Sequence, residues 1–513
     1  MHMKRQIACF IISIGIACLA YPPSQAEWSE PIPVTTDTTE DEYPTAVVSD
    51  GTRLWAAWYS CGAYWEPAAI KVSYFDGNSW SSPQVISQHD ELVATPPAMT
   101  KDTSDNIWVA WYYGSWYTDK DEQPQQEDWG IYTTTYDGYS WSAPELAVRA
   151  CTSGMGGVLD QAMETDRPGR LCLSWSAQEN VWGLWVSSSV YLTLHDGSNW
   201  LAPVCIAQGW GCPDYPTISY WDVSLTPDDS TELWLSFTRD SVDWGYVGYT
   251  ICTSHYAGDE GASGSGTIAT LDPSNDWDAV IANDGQGKVW LVWVSDRDGN
   301  ANIYSCYRNG DGWRDTVAIT TDEGSDSQPS VGIDLYGWVW VAWTSNRDGD
   351  PNIYVSYNCG TGWSAEERVT SDTTWDDCAY IVSDESGTIW VLWTSYRNGN
   401  YDIYSAYTTV RGVEERVQEG PGGFRLFGSY PNPFNSHTEI RYQILEPGLV
   451  SLEVYNLLGQ LVRTLIQGGR ESGHHSVFWN GRDEENVELP SGVYFYRIEA
   501  AGRSQAKKLL LLR

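Results

Sequence analysis

One tryptophan-rich segment is written seven times along this chain. It appears as "LWAAWYS" (54–60), "IWVAWYY" (107–113), "LCLSWSA" (171–177), "LWLSFTR" (233–239), "VWLVWVS" (289–295), "VWVAWTS" (339–345) and "IWVLWTS" (389–395), with copies starting 50 to 64 residues apart. Each reads as a strand rich in β-branched and aromatic residues. A strand with Pro or Ala near its start precedes each copy, as in "YPTAVVS", "QPSVGID" and "AYIVSD". A third strand such as "NIYVSYNCG" follows, then a fourth opened by Trp in most copies, as in "WSSPQVIS" and "WSAEERVT".

A unit of four short antiparallel strands cannot bury both faces of its own sheet, so neighbours must stack and the series must close. The expected fold is all-β, a seven-bladed β-propeller over residues 27–419. The seventh copy lacks a clear Trp-opened fourth strand, whereas "EWSEPIPVT" (27–35) is such a strand without a unit. Trp28 to Val34 is therefore expected to complete the unit holding residues 379–409. The rival assigns that place to "VEERVQ" (413–418).

The turns "RDGN", "RDGD" and "RNGN" join second to third strands, where Asp-Gly and Asn-Gly supply the positive φ of a tight hairpin. Asp296, Asp298, Asn300 and Asn302 have the alternate-oxygen spacing of a calcium loop, without its downstream bidentate Glu. A turn role is the stronger expectation.

Residues 1–26 read as a secretory signal peptide: "MHMKR", then an apolar stretch too short for a stable membrane span, then "SQA". Nine cysteines follow, and Cys205 and Cys212 are close enough to staple one loop. Residues 27–420 carry 17 Lys and Arg against 59 Asp and Glu. Such a surface repels nucleic acid and attracts cations or basic partners.

The third-to-fourth turns "YFDGNSW", "YDGYSW" and "HDGSNW" resemble the Asp-box of sialidase-like propellers, except that Gly follows Asp directly (Asp76-Gly77, Asp137-Gly138, Asp196-Gly197). The resemblance implies a fold, with the Asp-box as a structural turn. It also raises a carbohydrate-active enzyme, sialidase-like or another glycoside hydrolase, although Arg297, Arg347 and Arg397 recur on equivalent turns and look like repeat elements rather than a converging carboxylate grip.

Two candidate sites follow from topology. Acids recur just before the innermost strands (Asp41, Asp160, Asp214, Asp276, Asp326 and Asp376) and are expected to converge at the channel mouth and hold cations, calcium foremost. The enlarged loop "YGSWYTDKDEQPQQEDWG" (113–130) offers Trp116, Tyr117, Trp129 and Asp128 for a glycan or a basic protein ligand.

After the linker "GPGGF" (420–424) the tryptophan repeat stops. In residues 425–513, alternating strands such as "TEIRYQI" and "GVYFYRIEA" predict a small Ig-like sandwich. The tail resembles the type A C-terminal sorting domain of type IX secretion substrates, akin to the Ig-like domain of the flagellar hook-capping protein. The carrying residues are Pro431, Asn432, Pro433 and Phe434 in "YPNPFN", Gly492 and Tyr494 in "LPSGVYFYR", and Lys507 with Lys508. The resemblance implies the secretion machinery as partner and a secreted or outer-surface destination. The propeller is then expected to be a surface-displayed binding or adhesion module, with the carbohydrate-active enzyme as the alternative. A concave site holding carboxylates of separated pKa would separate the two.

Overall fold

The computed structural model describes residues 27–36, 40–61, 69–87, 96–113, 130–149, 158–166, 168–181, 185–211, 218–228, 232–243, 246–256, 267–268, 270, 274–309, 312–314, 316–360, 362–370, 373–397, 399–409, 424–430, 434, 437–444, 447–456, 459–471, 473–500 and 503–511. Among them the secondary structure is entirely β. No helix there is long and apolar enough to cross a membrane.

Among the described residues up to Thr409, seven four-stranded antiparallel sheets follow one another. Their inner strands are Glu40–Ser49, Ala98–Lys101, Val158–Thr165, Ile218–Pro227, Asp276–Asn283, Asp326–Ile333 and Asp376–Ser383. The tryptophan-rich copies form the second strands and are almost wholly buried. Trp58, Trp293, Trp343 and Trp393 are fully enclosed. Each inner strand packs against that of the next sheet, and the first packs against the seventh, so the contacts form a closed ring. The seventh sheet takes its fourth strand from the other end of the chain. Ile32 pairs with Ser405, and Pro33 with Tyr404. The rival segment 413–418 lies outside the described residues.

Neighbouring sheets are keyed together by the turns between third and fourth strands. Asp76 accepts the N–H groups of Asn78 and Ser79, both at 2.9 Å, beside Gly77 at φ +97°. Asp137 and Asp196 fix their turns in the same way, and the tryptophan closing a third-to-fourth turn meets the second-strand tryptophan of the preceding sheet edge to face. Trp141 meets Trp55 (5.7 Å), Trp200 meets Trp108 (6.5 Å), Trp313 meets Trp234 (6.1 Å) and Trp363 meets Trp290 (5.9 Å). Such pairs add to the burial of two large rings.

The hairpins headed by Arg297, Arg347 and Arg397 are fixed by side chains of their own sheets. Arg397 donates from Nε to Ser395 Oγ (2.9 Å) and from Nη2 to Asp376 Oδ1 (3.2 Å), and its guanidinium lies 4.0 Å from the Tyr404 ring centroid. Arg297 repeats this set with Ser295, Asp276 and Tyr304, and Arg347 with Ser345, Asp326 and Tyr354. Of the calcium-like series, Asp296 accepts from Asn275 and Asp298 accepts from the Tyr304 hydroxyl. Asn300 donates to the Asp322 carbonyl. These oxygens and amides pin the hairpin.

The C-terminal unit packs a three-stranded sheet (Phe424–Tyr430, Thr438–Ile444, Gly473–Trp479) with a four-stranded one (Leu461–Arg470, Gly448–Asn456, Gly492–Ala500, Arg503–Leu511) around its own core. Phe434 is buried with its ring 5.4 Å from Trp479, which lies 5.4 Å from Tyr494. The Tyr494 hydroxyl donates to the Pro490 carbonyl at 2.9 Å. Phe434, Gly492 and Tyr494, which carry the resemblance to a sorting domain, thus belong to the sandwich, and Lys507 and Lys508 to its last strand. Pro431, Asn432 and Pro433 lie outside the described residues.

Candidate functional site

The seven inner strands enclose a central cavity of about 900 Å³. Strands that belong to different sheets do not share a ladder, so side chains must serve the N–H groups along their edges. They do so in storeys. Ser224 Oγ accepts from Ile281 N (3.2 Å), Thr226 Oγ1 from Asn283 N (3.2 Å) and Ser330 Oγ from Ile381 N (3.1 Å), each across to the next sheet.

The topmost storey is carboxylic. Asp160 Oδ2 accepts from Val223 N (2.8 Å), Asp222 Oδ2 from Asp278 N (3.2 Å) and Asp278 Oδ2 from Gln328 N (3.4 Å). Gln328 continues the series by donating from Nε2 to Cys378 Sγ (3.1 Å). Register shifts in the inner strands aim these residues at the cavity. They fall between Val158 and Asp160, Trp221 and Ser224, Trp277 and Val280, Ser327 and Ser330, and Asp377 and Tyr380. Asp222, Asp278, Gln328 and Cys378 sit in them at φ +52° to +56°. A bulge re-aims a side chain in this way next to functional centres.

Three consecutive sheets therefore place three carboxyl groups in one cavity. They touch its interior yet lie deep in the ring, and burial dominates their titration. It pushes Asp160 up to about 6, with Asp278 adding repulsion against the lowering N–H bonds of Gln161 and Val223. Asp222 is driven well above the carboxylate range by burial, then by Asp278 and Asp160. Asp278 is raised by burial, with the Gln328 N–H and Asp222 partly offsetting it. Asp222 and Asp278 stand next to each other, so burial and mutual repulsion make their titrations interdependent. On the Asp160 strand, four residues and about 13 Å farther in, burial lifts Glu164 to about 7. The far end is crossed by Lys101, whose Nζ reaches Glu385 Oε1 at 2.5 Å.

The expected cation set is corrected in part. Asp160 lines the cavity, but Asp276, Asp326 and Asp376 do not. Those three are fully buried within their own sheets, each held by its hairpin arginine, with Trp293 and Trp393 also donating to Asp276 and Asp376 (3.1 and 3.0 Å). The hairpin arginine offsets each of these charges from within its own repeat. The Asp41 side chain and Asp214 lie outside the described residues, as do Trp116, Tyr117, Asp128 and Trp129. Asp278 stood in plain sight two places after the strand-head acid Asp276 in "DWD", whereas Asp222, in "YWD" inside the strand Ile218–Pro227, was missed.

Residues 443–504 match the FlgD Ig-like domain family. No curated protein matches the chain. Among solved structures, a polysaccharide lyase of family PL25, an ulvan lyase, superposes with a TM-score of 0.52 at 10% identity, covering 72% of this chain and 93% of the lyase. Its complex with -[GlcA(1-4)Rha3S]- gives 0.51 at 11% identity over the same shares. The Hadza microbial sialidase Hz136 gives 0.42 at 13% identity over 72% of this chain and 66% of its own, too low to weigh. The likeness establishes a β-propeller followed by an Ig-like domain.

Proposed function

We propose that this chain is an exported seven-bladed propeller that acts on a neutral glycan in its central channel, with the Asp222–Asp278 pair and Asp160 as acid and base. Seven sheets, with inner strands in a closed ring, support the blade count. The observation that carries the chemistry is three carboxyl groups of raised pKa in one cavity. A protonated member of the pair can donate to a glycosidic oxygen while an ionised carboxylate activates water or steadies the developing cation. An acid-lined channel repels uronates and sulfates, so the substrate class is uncharged.

The test is release of reducing ends from neutral polysaccharides by the full chain, beside Asp222→Asn and Asp278→Asn. Activity lost about 100-fold or more in each variant, with glycan binding kept, supports the reading. Binding without hydrolysis in the wild type favours the second reading, a binding module. That reading draws on the same carboxylates' hydrogen bonds to neighbouring strands, which give them a purely architectural use.

We infer in addition that residues 425–513 address the chain to a type IX secretion route, with residues 1–26 as signal peptide and the cell surface or medium as destination. The ordered motifs of the tail and its Ig-like match support this.

A further inference from the structure

In four sheets the second-strand tryptophan faces a tyrosine across the ladder: Trp55 and Tyr74, Trp290 and Tyr307, Trp340 and Tyr357, Trp390 and Tyr407. The residue two places before the tryptophan covers that tyrosine in three of them. Arg53 and Lys288 put a cation 4.7 and 4.6 Å from the ring centroid, and Trp338 stacks at 5.5 Å. The fourth sheet keeps its tryptophan, Trp234, and changes both companions. His255 stands in place of the tyrosine, and Glu232 in place of the covering residue.

The third member is the aspartate that opens this turn. Asp228 accepts the Glu232 N–H (3.3 Å), as Asp284 accepts that of Lys288 (3.0 Å) and Asp334 that of Trp338 (2.9 Å). The backbone of the repeat is thus retained while its side chains are exchanged for ligands. One ligand atom each from Asp228, Glu232 and His255 lies within 4.8 Å of the other two, all three residues half-buried. His255 Nε2 is in direct contact with a Glu232 carboxylate oxygen.

We propose that Asp228, Glu232 and His255 form a binding site for a divalent transition-metal ion. An imidazole with two carboxylates suits zinc, cobalt or nickel rather than calcium, and three protein ligands leave a fourth position open on a tetrahedral ion. Closing the ligand atoms onto such an ion takes shifts on the order of 1 Å. Asp228 also lines the central cavity, so the ion stands beside the channel's far end, away from Asp222 and Asp278.

The test uses the full chain, stripped of metal, titrated with Zn²⁺ calorimetrically and with Co²⁺ by visible absorption. The variants His255→Tyr and Glu232→Lys restore what other sheets carry at these positions, so the fold is kept, which an unchanged metal-free melt verifies. The expected result is one Zn²⁺ at about micromolar Kd in the wild type, weakened about 30-fold or more in each variant. No binding below about 1 mM, or wild-type affinity in both variants, overturns the site. Neither variant touches the channel carboxylates, so hydrolysis and metal binding fail independently.

Discussion

The Trp80 indole N–H donates to Ser405 Oγ at 2.9 Å, joining residues 325 positions apart. Trp363 makes the same bond to Ser305 (2.9 Å), and Trp313 bonds to Thr253 (3.3 Å), each one sheet back along the chain. Trp80 also meets Trp390 edge-on at 6.4 Å. The first sheet therefore treats the seventh as its predecessor, and one repeated contact both builds the ring and closes it.

Trp80→Phe keeps the ring contact and loses the hydrogen bond, whereas Ser405→Ala loses it together with the hydroxyl's bond to the Ile32 carbonyl (3.2 Å). Trp80→Phe is expected to cost about 1 kcal/mol, Ser405→Ala somewhat more, and the double variant little more than Ser405→Ala alone. A double-mutant cycle in denaturant measures this. Additive losses would show that the bond contributes nothing to closure.

The Asp376–Arg397 pair predicts an asymmetry. Asp376 is fully buried, so Arg397→Met strands its charge and is expected to cost about 3–5 kcal/mol. Pairing it with Asp376→Leu removes the stranded charge and should recover a large part of that. Thermal melts of the two proteins decide it, with no recovery as the contrary result.

The channel acids make stability depend on pH with a definite sign. Asp160 at about 6 and Glu164 at about 7 bind protons more tightly folded than unfolded. Their contribution is greatest below the unfolded carboxylate range and is lost as pH rises through those values. Asp160→Asn and Glu164→Gln should each flatten the fall in melting temperature between pH 4 and about 7, relative to wild type. Parallel curves would show that neither group is shifted.

Removing residues 424–513 should leave the propeller's melting transition in place, since the tail has a separate core. It should also hold the protein in the periplasm. Fractionation of cells secreting each form reads the outcome, and unchanged surface delivery would defeat the sorting role.

The architecture was legible because period and alternation survive seven rewritings, and because the unpaired segment around Ile32 announced its partner. The site was legible only halfway. Asp276 and Asp278 are both acids, two places apart, on one strand. A bulge between Trp277 and Val280 changes which way the strand's side chains point, and alternation alone does not reveal it. The head position is absorbed by Arg297, an interaction reaching 21 residues along the chain. What remains for the cavity is Asp278, with Asp222 and Asp160 brought beside it by the stacking of consecutive sheets.

The short ladder of Ile32 and Pro33 on Ser405 and Tyr404 also sets an order of events. Synthesised from the N-terminus at about 5–20 residues per second, the chain makes its closing strand roughly 20–75 s before the strand that receives it. Until then six sheets can stack, but the seventh keeps an open edge able to pair with another molecule. Contacts of such long sequence separation form slowly. On the export route proposed above, a chain that must stay threadable until it has crossed a membrane gains from this delay, because its final latch cannot shut before nearly all of the ring has emerged.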